Sequence, residues 1–172
     1  MPQLDYPIYQ DKGFEGQCPN DRAVRHVRGT QDELVNAHTT LIPFGRVVRL
    51  DATDPTQVLP LSADGQTMAG VTTFVNVYEK DESGNSGYPV DRPVSLLIEG
   101  EINMIAEEAV TPADTVFARF LANGSPGDFD GIGRVRTDAD NSGSERADAV
   151  PNAKFLTSAA AGEIVRVYVN FN

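Results

Sequence analysis

Residues 94–121, VSLLIEGEINMIAEEAVTPADTVFARFL, constrain the fold more than any other stretch of the chain. Three runs of β-forming residues, 94–99, 101–106 and 115–121, are broken by Gly100 and by the turn-forming set Thr111, Pro112, Ala113 and Asp114. The pattern predicts strand, kink, strand, turn, strand. Its polar positions are scattered carboxylates without a histidine or cysteine, so the stretch supplies framework and no evident chemistry.

The same alternation recurs along the chain. Residues 70–80 put Val71, Thr73, Val75 and Val77 on one face and Thr72, Phe74, Asn76 and Tyr78 on the other. Residues 164–171 align Val165, Val167, Val169 and Phe171, which predicts a terminal strand inside the sheet system. Shorter β-rich runs occupy 41–51, entered through Pro43 and Gly45; 56–61, demoted to an edge by Pro60; and 133–137. Turns at 51–55 and 62–65, polar loops at 81–87 and 138–145, and a glycine-rich loop at 122–133 separate them. The one place for a helix is a turn or two around 32–37. Fifteen glycines and eleven prolines in 172 residues also favour turns over long helices. The expected fold class is all-β, an antiparallel sandwich or barrel-like domain over residues 21–172 with little helix.

Residues 1–20 read differently. Pro2, Pro7 and Pro19 oppose helix and remove ladder donors, while Tyr6, Ile8, Tyr9 and Phe14 are set between them. A tail without a partner is normally poor in such residues, so this is expected to be an extended arm that docks on its own domain or a neighbour. Arg22, Arg25 and Arg28 follow as a local basic patch, suited to an acidic partner surface or to the chain's own carboxylates. These seven residues, Tyr6, Ile8, Tyr9, Phe14, Arg22, Arg25 and Arg28, are the interface candidates.

Charge narrows the partners. Asp and Glu number 25 against 14 Lys and Arg, a formal charge of −11, and such a field repels phosphate backbones and anionic lipid, so neither nucleic acid nor membrane is expected. The lone Cys18 cannot form an internal disulfide. There is no apolar run long enough to span a bilayer and the first residues lack the plan of a secretion signal, so a protein made in a cytoplasm, or assembled from there, is expected.

Candidate chemistry is sparse. Cys18, His26 and His38 match no zinc spacing, and neither histidine lies near a nucleophile-elbow sequence. Asp138, Asp140, Ser142 and Gly143 match the first half of a calcium loop, but Ala149 stands where the bidentate glutamate belongs. Gly131 and Gly133 lack the third glycine, helix and lysine of a phosphate cradle. No catalytic, metal or cofactor site is expected. A β-sandwich module that binds calcium or carbohydrate, as an adhesin does, is the alternative, and an enzyme with a carboxylate pair is a third reading.

Several phrases in order carry a resemblance. They are Gly13-Phe14-Glu15-Gly16-Gln17, Ile42-Pro43-Phe44-Gly45-Arg46-Val47-Val48, Ala69-Gly70-Val71, residues 94–102, residues 108–119, Gly131-x-Gly133 and residues 153–162. In succession these resemble the structural cement, or capsid decoration, proteins of tailed bacteriophages. Pro112-Ala113 departs from the glycine more usual there before Asp114, which puts the turn geometry in question. The resemblance implies a mainly β homotrimer on the outer capsid surface of the virion, near local three-fold axes. It would bind the major capsid protein after head expansion, bridge its subunits and brace the shell against packaged DNA.

Overall fold

The computed structural model describes residues 13–19, 34–74, 86–122, 131–140 and 146–172 in full, and residues 26–28 as backbone. Thirteen strands run through these described residues: β1 (His26–Arg28), β2 (Val35–Asn36), β3 (Ile42–Pro43), β4 (Val47–Leu50), β5 (Gln57–Pro60), β6 (Met68–Thr72), β7 (Gly87–Tyr88), β8 (Leu96–Ile105), β9 (Phe117–Arg119), β10 (Val135–Arg136), β11 (Ala147–Ala149), β12 (Lys154–Phe155) and β13 (Ile164–Asn170). No α-helix occurs among them.

The stretch read as strand, kink, strand is one strand, β8. Gly100, at φ 138°, takes a backbone conformation that side chains disfavour and so lets the ladder run through it unbroken. β13 pairs antiparallel along seven residues of it, from Ile164 opposite Ile105 to Asn170 opposite Glu99. The terminal strand therefore lies inside the sheet, as its alternation predicts. The main sheet runs β12-β13-β8-β6-β4-β5-β2, with β1 also paired to β8. A three-stranded sheet, β10-β9-β11, and a β3–β7 ribbon complete the set.

Neighbouring residues on the central strands send side chains to opposite faces, and both faces are covered. On one, Val47, Leu97, Ile102, Met104, Val165 and Val167 pack with Ala118 and Val135 of the three-stranded sheet and with Phe120 just beyond β9. On the other, Val48, Val58 and Leu96 pack with Ile42 and Tyr88 of the ribbon and with Leu34. The result is a sandwich-like, all-β arrangement in three layers, which is why the central strands carry apolar pairs such as Val47-Val48 and Leu96-Leu97.

Three expectations change. The helix at 32–37 gives way to β2, where Val35 N donates to Thr56 O and Ala37 N to Val58 O, in parallel with β5. Burial of Asn36, whose Nδ2 donates to Tyr88 O at 2.8 Å, fixes that extended course. β5 is not an outer edge, because β4 and β2 flank it; Pro60 lies beyond the part of β5 that β2 covers. The run at 115–121 shortens to β9 and leaves the main sheet. Asp114 closes the preceding turn, its Oδ2 accepting from Thr111 N (2.7 Å) and Thr111 Oγ1 (2.9 Å). Pro112-Ala113 is thus accommodated. Of residues 70–80, β6 ends at Thr72, and 75–80 lie outside the described residues.

Ile102 is fully buried between the layers. Ile102→Ala is expected to cost about 2–5 kcal/mol, read as a fall in the urea midpoint with an unchanged slope.

Candidate interaction surface

The phrase Gly13-Phe14-Glu15-Gly16-Gln17 is stitched into the sheet. Gly16 N donates to Asn103 O (2.8 Å), Asn103 N to Gln17 O (2.9 Å) and Phe74 N to Gly16 O (2.8 Å). Asn103 is a β8 residue opposite Arg166, and its backbone groups turn away from β13. Residues 16–17 therefore fill the far edge of β8, beyond the point where β6 ends.

Glycine makes that approach possible. Gly16 and Gly45 hold φ of 77° and 67°. A Cβ on Gly16 would lie 2.7 Å from the Phe44 Cβ and 2.9 Å from Phe74 N, and one on Gly45 would strike the Glu15 side chain and sit 2.8 Å from Gly16 N. Two phrases thirty residues apart in sequence are thus brought together face to face. Between them Glu15 Oε1 meets Arg46 Nε at 3.2 Å, with the Arg46 side chain only 1% exposed. The third partner is Gly133, whose carbonyl accepts from Val47 N at 3.0 Å. A Cβ there would press on the Arg46 Cβ at 2.9 Å.

Phe14 begins an aromatic ladder that runs inward. Its ring lies 4.3 Å from Phe74, Phe74 lies 5.1 Å from Phe44, and Phe44 lies 5.2 Å from Tyr88, all edge to face. Exposure falls along it from 46% at Phe14 to 1% at Tyr88, whose hydroxyl donates to Thr73 O at 2.7 Å. Of the seven interface candidates, Phe14 is the one described in full, and it docks on its own domain. Tyr6, Ile8, Tyr9, Arg22 and Arg25 lie outside the described residues. The backbone of Arg28 pairs with Leu96, and its side chain is likewise outside them. Sequence reasoning passed over Arg46 and Asn103. The available signal was a polar residue inside an apolar strand, which needs a partner when buried.

Asp138 and Asp140, the first half of the calcium-like loop, face arginines. Arg136 Nη2 meets Asp138 Oδ1 at 2.7 Å and Arg119 Nη2 meets Asp140 Oδ2 at 2.7 Å. Glu107 ties both arginines, at 2.6 Å to Arg119 Nε and 3.2 Å to Arg136 Nη1. A cation would have to displace these partners. Among the described residues no group of three or more metal-binding side chains is gathered. The backbone amide of Asp140 and then Arg136 hold the Asp138 carboxyl below its usual 3.8.

A family model described as structural cement protein (E217 gp24/Pam3 gp6) matches residues 1–170. No curated protein matches the chain. A chain in the solved capsid of Myoviridae phage XM1 has the same fold, with a TM-score of 0.66 at 20% identity over 98% of each chain.

Two outcomes are expected. Gly45→Ala places a side chain at positive φ, a cost of about 1–2 kcal/mol before any clash. It should loosen the 13–18 segment and raise the reactivity of the half-buried Cys18 thiol about tenfold or more in a thiol-labelling assay. The depressed Asp138 pKa contributes stability that is fully present above 3.8 and is lost as pH falls through the lower folded value. Asp138→Asn should therefore flatten the acid limb of the melting temperature against pH below about 4, measured by circular dichroism.

Proposed function

The chain belongs to the structural cement protein family of phage capsids, and from that premise we propose how it works. It binds the outer surface of the expanded head as a homotrimer, bridges neighbouring major capsid protein subunits and stiffens the shell against internal DNA pressure. The observation that carries this reading is the extent of the family match, residues 1–170, which takes in the N-terminal residues as well as the β layers. The unit of function is then an arm, residues 1–20, carried by a β domain, residues 21–172, with no catalytic role.

The physical means is burial at seams between subunits. The three-layer body supplies a rigid mount, and Phe14, the arm and the Arg22, Arg25 and Arg28 patch are the groups that reach a neighbour. Non-obligate seams of about 800 Å² per partner are enough for specific binding. Repetition over many copies sums modest contacts into a stiff shell. The net charge of −11 favours solubility of the unassembled protein and disfavours contact with nucleic acid.

Purified chain mixed with expanded and with unexpanded heads of its own phage tests this by co-sedimentation. Saturable binding to expanded heads alone, by a species that ultracentrifugation sizes as a trimer, is expected. Removal of residues 1–12 should weaken it tenfold or more, about 1.4 kcal/mol. A chain that stays monomeric and ignores expanded heads would overturn the proposal.

A further inference from the structure

The turn between β5 and β6 carries Asp64-Gly65 at its tip, with both residues exposed. An aspartate followed by glycine can react with itself, because the glycine nitrogen meets no Cβ of its own residue when it closes on the aspartate side-chain carbon. Gly65 stands at φ 67° with open space where a Cβ would be. In a free peptide the closure is slow. An amide nitrogen gives up its proton reluctantly, and a carboxylate gives up its oxygen reluctantly.

In the fold a third group touches both. Gly65 N donates to Asp148 Oδ2 at 2.7 Å, inside the reach of about 2.6–3.2 Å over which a base takes a proton. Asp148 lies half-buried on β11, opposite Ala118, and is also hydrogen-bonded to the carboxyl of Asp64, whose charge acts on it. Burial above all raises the Asp148 carboxyl over its usual 3.8, and the Asp64 charge adds to this, against the pull of the Gly65 amide. One proton is therefore retained on the pair at a pH where an open aspartate has lost it. The turn itself is tied down, since Gln66 Oε1 accepts from Ser62 N at 2.8 Å and from Ala63 N at 3.3 Å.

We propose that Asp64-Gly65 is a self-modification site, at which Asp148 moves the protons that convert the aspartyl linkage into an isoaspartyl one. Neutral Asp148 gives its proton to the Asp64 carboxylate while Oδ2 takes the proton of Gly65 N, and the nitrogen bonds to Asp64 Cγ. Asp148 then returns that proton to the departing hydroxyl. The Cγ–O bond breaks, water leaves, and a succinimide stands beside an Asp148 carboxylate. Water reopens the ring at either carbonyl, and opening at the main-chain one leaves the backbone running through the side-chain carbon, with one more atom in the turn. This concerns the chain by itself and does not rest on the capsid reading.

Ageing the purified full chain beside a synthetic peptide of residues 61–67, from about pH 4 to pH 8, tests it. Peptide mapping with electron-transfer fragmentation separates isoaspartyl from aspartyl linkages. Isoaspartate at position 64 is expected to accumulate about tenfold or more faster in the folded chain than in the peptide. Its rate should also persist to higher pH than the peptide's, because the relay works while Asp148 keeps its proton. Asp148→Asn retains an acceptor for Gly65 N but relays no proton, and should bring the rate to the peptide's level or below. Asp64→Glu, one carbon too long for the ring, should leave no product. Unfolding midpoints show whether each variant remains folded, and the pH profile of the unaltered chain reads the relay without a substitution. A rate in the folded chain no faster than the peptide's would overturn the proposal. So would a pH profile that matches the peptide's, or a rate that Asp148→Asn leaves unchanged in a folded variant.

Discussion

The rest of the structure depends on β8 being hydrogen-bonded along both of its edges. β13 takes one edge through seven residue pairs, while Gly16 and Gln17 close the other at Asn103. Leu96 and Leu97 then bury its two faces in different clusters. A strand so enclosed must satisfy every backbone group within the chain, because an unpaired buried amide or carbonyl costs about 1–3 kcal/mol. Residues 16–17 are therefore part of the sheet in an energetic sense, although they form no strand of their own.

Charge is placed where it fixes geometry. The Glu15–Arg46 pair and the Glu107, Arg119, Arg136 and Asp140 network are largely withdrawn from water, and Asp138 joins the network from its exposed side. Such pairs add little net stability over an apolar filling, but losing one partner strands a charge and is strongly destabilising. Their effect here is to set register: Arg46 locks the N-terminal segment to β4, and Arg119 and Arg136 lock the 138–140 turn to the three-stranded sheet.

How far the sequence disclosed the structure follows from which forces act locally. The all-β class, β13 and the Asp51 and Asp114 turns were legible, because alternation and side-chain capping are short-range signals. β2 was misread as helix, since its extended course is held by Tyr88 O, fifty-two residues away. The departure of β9 into a second sheet had no local mark either. The family phrases were visible in order, yet nothing in the order said that Gly16, Gly45 and Gly133 converge on Arg46. That convergence is a property of packing, and the cause lies in which backbones must touch. Phe14 was found as a candidate and the structure gives it a partner in Phe74, while Arg46 and Asn103 stayed hidden as ordinary polar residues.

Hydrogen exchange on the chain, free and bound to expanded heads, tests most directly whether a fixed body carries a working periphery. The amides of Gly16 and Asn103 and those shared by β8 and β13 are expected to be strongly protected in both states. New protection on binding should appear in the N-terminal arm and the loops. New protection centred on β8 and β13, or an unprotected Gly16 amide in the free chain, would contradict it.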